Sequence, residues 1–226
     1  MKAQRDRLRI GILASGEGTT LQSILDACAA GRLNAEISIV ISNNYGSGAL
    51  KKAQACSVRS AHFSGKTHPN AEELDAAVLA ALREAKVDLV LLAGYMKKVG
   101  PKTLEALHGR VLNTHPALLP KYGGKGMYGY RVHEAVLAAG EAQTGVTVHQ
   151  VDAEYDHGPV IAQTLIPVMK DDDVDTLAAR VQKIERSFLI QTLQTLVDRR
   201  TPNSAIDSDT FSVPLRAPSS ARHCGR

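Results

Sequence analysis

Asn113 and His115 stand two residues apart in Leu112–Asn113–Thr114–His115–Pro116, directly after Arg110–Val111. The short apolar run that opens this stretch reads as a buried strand. Residues i and i+2 of a strand project from one face, so the two side chains stand side by side, their Cα atoms roughly 6–7 Å apart at ~3.3 Å rise per residue. Pro116 removes a ladder donor and stops the strand. The pair then falls at the carboxyl edge, where open α/β sheets hold their ligands. A carboxamide N–H can bond a developing oxyanion, and a neighbouring imidazole can pass a proton. The plain alternative is a polar strand end before a Pro/Gly-rich surface loop. It suits either residue alone better than it suits the pair.

A second chemical feature is Ser15–Gly16–Glu17–Gly18–Thr19–Thr20, running from an apolar strand into a helix. Backbone N–H groups of Gly16 to Thr20 at a helix N-terminus bind phosphate through fixed donors and the helix dipole. No Gly-Lys-Ser/Thr follows, so this is not a Walker loop. Leu21 stands where a dinucleotide fingerprint has its third glycine, and the next strand ends in Ser42–Asn43–Asn44 without an acid for a ribose hydroxyl. A small phosphate monoester fits better than NAD. The alternative is a βα turn that needs its glycines for backbone shape alone.

Two carboxylates extend the set. Asp156 precedes His157–Gly158–Pro159 in an acidic loop, where an Asx-turn role is the ordinary one. A carboxylate facing the same cleft as His115 would favour the protonated imidazole. Glu185 sits on the edge of an apolar helical stripe made of Leu177, Val181, Ile184 and Phe188. No Lys or Arg lies three or four residues away, so a buried Glu185 needs another segment or an amine ligand as partner. Otherwise its head reaches water. The other histidines make neither HxH nor HExxH spacing. His149 and His157 are able to approach His115, which leaves a zinc site open, but nothing requires one and no metal is expected.

The elements that must position these groups alternate strand and helix. Strands are expected at Leu8–Ala14, Ile37–Ser42, Val58–Phe63, Val87–Ala93 and Arg110–His115. Helices are expected from the Gly turn to about Ala30, and at Ala49–Ala55, Glu72–Glu84, Pro101–Leu107 and Val132–Ala139. This pattern indicates an α/β fold with a doubly wound, Rossmann-like, mostly parallel sheet. Thr144–Val151 and Val160–Pro167, joined by a loop alone, indicate an antiparallel C-terminal addition. A long amphipathic helix, Val174–Val197, closes the body. The expected division is a domain over 1–200 and an extended or partly disordered tail over 201–226.

Composition narrows the function classes. The 226-residue chain is 44% hydrophobic, enough for one sizeable core. Aromatics at 4%, with no Trp, disfavour a stacking surface for single-stranded nucleic acid. Of the net charge of +4, five arginines and two aspartates from Arg199 onward supply +3, which leaves the body at about +1. A nucleic-acid patch is therefore not expected. Cys28, Cys56 and Cys224 have no metal-type spacing and read as reduced cytosolic thiols. The start lacks a signal peptide's apolar core, and no run approaches membrane-spanning length, so a cytoplasmic protein without a membrane partner is expected.

The stretch Leu112 to Pro120 (LNTHPALLP) resembles the active-site strand of the folate-dependent formyltransferases. Ser15–Gln22 (SGEGTTLQ), Leu92–Met96 (LAGYM) and Asp156–Ile161 (DHGPVI) are similar to further motifs of that family, in the same order. The likeness spans Leu8 to Val197 and is sharpest toward the family's purine-pathway members. It implies the formyltransferase fold, 10-formyltetrahydrofolate as co-substrate, and phosphoribosylglycinamide as acceptor. It implies no metal, and a monomer or weak dimer.

Residue by residue, the resemblance makes Asn113, His115 and Asp156 the catalytic trio. It gives the substrate phosphate to Gly16, Glu17, Gly18, Thr19 and Thr20. Gln182, Lys183, Ile184 and Glu185 would hold the glycinamide, with Glu185 on its amine. Leu92, Tyr95, Met96, Lys97, Lys98 and Val99 would wall the folate together with Asn113, Asp152, Ala153, Glu154, Tyr155 and Asp156. Thr19–Thr20 replaces the Ser-Asn of many relatives, so backbone donors carry over and side-chain ones do not. Ala71 stands where the family has an arginine, with Lys66 or His68 as substitutes, and Gly123–Tyr128 departs from the commoner Pro-Gly loop. The rivals are a formyltetrahydrofolate hydrolase and a non-catalytic phosphate-ester binding module. The first needs neither the phosphate turn nor Glu185. The second leaves Asn113 and His115 unexplained.

Overall fold

A computed structural model describes residues 7–199, so the tail expected after Arg200 lies outside the described residues. The strands are β1 (Leu8–Ala14), β2 (Ala35–Ser42), β3 (Ser60–His62), β4 (Leu89–Leu92), β5 (Val111–His115), β6 (Gln143–Gln150) and β7 (Val160–Pro167). Interleaved with them are α1 (Thr19–Ala29), α2 (Gly48–Ala55), α3 (Ala71–Glu84), α4 (Pro101–Ala106) and α5 (Tyr130–Ala138), and α6 (Val174–Arg199) follows β7. One sheet runs β3-β2-β1-β4-β5-β6-β7. It is parallel through β5 and antiparallel for β6 and β7.

Alternation along β1 builds both faces of this sheet. Leu8, Ile10, Ile12 and Ala14 join Leu21 and Ile24 of α1 and Leu177, Val181 and Leu193 of α6 on one side. Leu13 joins Val78 and Leu82 of α3, with Val90, Leu92 and Val111, on the other. Each fully buried aliphatic side chain contributes roughly 1.5–3 kcal/mol. Gly11 is where α3 comes closest: a Cβ there would lie 2.8 Å from Leu82 Cδ2 and 3.0 Å from Val87 Cγ2.

Two expected strands are shorter than their apolar runs. Val87 serves the core from a loop, so only Leu89–Leu92 pairs as β4. At the sheet edge β3 meets only Val40–Ser42, and pairing ends where β2 does. Between β1 and β4 the strand order reverses direction. That reversal opens a crevice beyond the carboxyl ends of the two strands, the usual ligand site of such sheets.

The start of α4 is set by Asp75 on α3. Its buried carboxylate accepts from Lys102 N–H at 2.7 Å and Thr103 N–H at 3.2 Å, and from Thr103 Oγ1 at 2.5 Å. These bonds occupy N–H groups at the first turn of α4 that have no intrahelical acceptor. Gly100 is required beside them, because a Cβ would fall 2.1 Å from Asp75 Cγ.

Candidate active site

Asn113 pairs across β5 with His149 of β6, and the two side chains meet, Asn113 Nδ2 lying 3.2 Å from His149 Nε2. His149 donates through Nδ1 to the Gln150 carbonyl at 2.8 Å. His149 Nε2 thus stands between the Asn113 carboxamide and the Asp156 carboxylate. His115, 3% exposed, closes the strand. Its Nε2–H donates to the Tyr122 carbonyl at 2.7 Å, while Nδ1 lies 3.5 Å from Asp156 Oδ2. Asp156 Oδ1 is also 3.5 Å from His149 Nε2, and Oδ2 accepts from Gly124 N–H at 3.0 Å. The three sequence-expected residues are thus in one place.

Both anchors of His115 sit in left-handed backbone, Tyr122 at φ 56° and Asp156 at φ 56°. Non-glycine residues there are uncommon and cluster at functional sites. The Gly123 turn makes this fit possible, since a Cβ on Gly123 would lie 2.5 Å from Leu119 Cδ2 and 3.2 Å from Asp156 Cβ.

The charge on His115 differs from the expectation. Burial pushes the imidazole below its ordinary pKa and outweighs Asp156 and the Tyr122 carbonyl, which raise it; His149 adds to the lowering. Asp156 therefore does not hold His115 protonated in the free protein. Burial raises the Asp156 carboxyl, but His149, His115 and the Gly124 N–H together bring it below the usual range. The result is a neutral imidazole beside an ionised carboxylate.

The turn after β1 presents Gly18 as the N-cap of α1, with φ 70° and no side-chain cap. The first N–H groups of α1 therefore have no capping side chain. Gly18 cannot be replaced without strain, as its Cβ would meet Ala49 Cα at 2.7 Å. Thr19 and Thr20 begin the helix, and Gly16 is open on its Cβ side. The Glu17 carboxylate turns toward Gly48, and Lys52 Nζ donates to the Glu17 carbonyl at 2.8 Å.

On α6, Gln182 and Lys183 are exposed while Ile184 packs against the core. Glu185 accepts from the Thr114 hydroxyl at 2.6 Å. Burial raises its carboxyl pKa, against the pull of Thr114 and Arg186. The other segment that the sequence required is Thr114.

A cavity of about 730 Å³ is lined by Lys98, Val99, Leu104, Gln150, Asp152 and Ala153 among others, with no member of the trio in its wall. Lys98 joins two of the lining segments, donating to the Ala153 carbonyl at 2.8 Å and lying 5.0 Å from the Tyr155 ring centre. Of the expected folate residues, Leu92, Tyr95, Met96, Lys97, Asn113, Glu154, Tyr155 and Asp156 do not line this cavity. Leu92 is in the core, Tyr95 is half-buried with its phenol pKa raised by burial, and Met96 and Lys97 are exposed. His157 is drawn off to Asp152 at 2.9 Å. Among the described residues no three His, Cys, Asp or Glu side chains are arranged to hold a metal ion, and no helix is long and apolar enough to cross a membrane.

The family model described as formyl transferase matches residues 8–193. The chain belongs to that family. This formyl transferase is similar to the phosphoribosylglycinamide formyltransferase of Haemophilus influenzae, 38% identical over 177 residues, covering 78% of this chain and 81% of the relative. The chloroplastic enzyme of the same name from Arabidopsis thaliana is 33% identical over 195 residues, covering 86% and 67%. The crystal structure of phosphoribosylglycinamide formyltransferase from Bacillus halodurans superposes with a TM-score of 0.79 at 33% identity, covering 88% of this chain and all of that one.

Three residues in contact with the candidate site or lining the cavity are outside the expected set. Thr114 was hidden by its position, since strand alternation turns it away from Asn113 and His115. His149 carried a signal, the alternation of β6, but which residue it faces depends on register. Gln150 lines the cavity, and its buried Nε2 has no hydrogen-bond partner. Nothing in its sequence context marks it.

Proposed function

We propose that this enzyme transfers the formyl group of 10-formyltetrahydrofolate to the amine of phosphoribosylglycinamide, a step of purine biosynthesis. The observation that carries the reading is the joint placement of Asn113, His115 and Asp156 at the carboxyl edge of β5. The uncapped N-terminus of α1, the Glu185 carboxylate and the 730 Å³ cavity support the reading as candidate sites for phosphate, amine and pteridine ring.

In this mechanism the amine attacks the formyl carbon and a tetrahedral oxyanion forms. Asn113 Nδ2 is its donor, held in orientation by His149. His115 enters neutral, which allows it to take up the proton that the amine loses. The oxyanion's negative charge then favours the charged imidazole, reversing the effect of burial. Asp156 beside Nδ1 helps deliver that proton to the departing folate nitrogen, so the C–N bond to folate breaks as the new amide forms. No covalent formyl-enzyme is required. Bringing the two substrates together supplies most of the rate, since effective molarity is worth ~7–11 kcal/mol.

The activity is assigned to residues 1–200, the segment that contains the whole family match. The free thiols Cys28 and Cys56 support a cytoplasmic setting. The test gives chelator-treated protein 10-formyltetrahydrofolate alone and then with phosphoribosylglycinamide. Stoichiometric formylation only in the second tube, with sequential kinetics, is expected. Fast formate release in the first would make the protein a hydrolase, and binding without turnover in either would make it a phosphate-ester binding module.

A further inference from the structure

Asn43 and Asn44 stand where a dinucleotide-binding chain carries an acid for ribose, and Ser15 closes β1 just before the phosphate turn. Neither has been given a task above. We propose that Ser15 and Asn43 are positioning residues that lock the phosphate turn to the Met96 wall, so that each substrate prepares the other's site. This rests on the functional reading given above.

Ser15 is 7% exposed and faces inward. Its hydroxyl accepts from Met96 N–H at 2.7 Å and donates to Asn43 Oδ1 at 2.5 Å. Its own N–H donates to the Gly94 carbonyl at 3.1 Å, and its carbonyl accepts from Asn44 Nδ2 at 2.7 Å. Asn43 Nδ2 donates in turn to Asn44 Oδ1 at 3.0 Å. One serine thereby joins the carboxyl ends of β2, β1 and β4, which are neighbours in the sheet. The segment after β1 is the phosphate turn, and the segment after β4 carries Met96 to Val99.

A serine that only satisfied local backbone would bond within its own turn. This one uses a single hydroxyl as acceptor for one substrate's segment and as donor to the strand end that abuts the other. Ala49 N–H to the Gly16 carbonyl, at 3.1 Å, holds the turn from the α2 side as well. Ordering either segment then lowers the cost of ordering the second, which is positive coupling between the two ligands.

Calorimetry tests it with phosphoribosylglycinamide and with tetrahydrofolate, which has no formyl group to transfer. Wild-type protein is expected to bind the phosphate ester about fivefold or more tightly when tetrahydrofolate is saturating. In Ser15→Ala that ratio should fall to near one, with both separate affinities weakened about fivefold. Ser15→Thr, which restores the hydroxyl, should recover the ratio. Should Ser15→Ala fail to fold, Asn43→Ala serves, because it cuts the same link while leaving the Ser15–Met96 bond; its ratio should lie between. A variant with the wild-type ratio, or wild type that binds both ligands without coupling, overturns this inference alone. A wild-type protein that binds neither ligand overturns the functional reading with it.

Discussion

The Thr114 hydroxyl meets Glu185 Oε1 at 2.6 Å and joins β5 to the middle of α6. Thr114 separates Asn113 from His115 in sequence and points to the opposite face. One strand end therefore carries Asn113 and His115 on one side and steadies Glu185, the carboxylate proposed to bind the amine, on the other. Burial lifts the Glu185 pKa, and in the proposed reading an arriving amine is the partner that favours its charge.

Glu185→Gln should weaken binding of phosphoribosylglycinamide by about 1.5–3 kcal/mol, the worth of a hydrogen bond to a charged group. Tetrahydrofolate affinity should stay within twofold. Separate titrations of the two ligands check this. Unchanged affinity for the amine substrate would return Glu185 to a structural role beneath Thr114.

Asp156→Asn keeps the shape of the loop and accepts from Gly124 N–H as before, but removes the charge near His115 Nδ1. Turnover should fall by about a hundredfold or more, within the range for losing proton-transfer assistance, while KM for either substrate changes little. Steady-state kinetics decide the matter. A raised folate KM at intact kcat would place Asp156 in the pocket wall instead.

Gly18→Ala should be costly for two independent reasons. A non-glycine residue at φ 70° costs ~1–2 kcal/mol, and the new methyl would press on Ala49 Cα at 2.7 Å. A lower melting temperature is expected, with phosphate-ester affinity reduced more than folate affinity. Loss of folate binding alone would contradict the assignment of this turn.

The fold was largely legible because periodicity and spacing are local properties. The turn after β1, the strand ended by Pro116 and the hairpin of β6 with β7 each follow from residues that are neighbours in sequence. The site was legible where its groups lie on one strand, as for Asn113 and His115. It was not where cross-strand register decides, which is why His149 is visible only as a histidine able to approach His115, not as the partner of Asn113, and Gln150 not at all. The charge on His115 was also misjudged. A nearby Asp is visible in sequence as a possible partner, but the amount of solvent removed from the imidazole is a property of the packed fold.

That burial gives the last prediction, a loss of stability on the acid side of neutrality. His115 and His133 are both buried, and burial lowers both pKa values from the ordinary 6.5. His115 is faced by Asp156, which raises its pKa, and by His149, which lowers it; His133 is lowered further by His115. Well above pH 6.5 both rings are neutral in the folded and unfolded chains, and folding is pH-independent on their account. As pH falls through 6.5, the unfolded chain binds protons first, so stability declines until the depressed folded values are passed. The urea midpoint should therefore be flat from about pH 7 to 8 and drop below about 6.5. Asp156 does not obscure this, because its lowered carboxyl loses its contribution only below the ordinary 3.8. His133→Leu removes one of the two rings from a site where Nδ1 has no partner. It should make the acid slope shallower by up to one proton, about 1.4 kcal/mol per pH unit. The raised carboxyl of Glu185 and the raised imidazole of His157 act in the opposite sense, so the comparison that decides is between variant and wild type. An acid slope identical in the variant would show that His133 is not held neutral by burial.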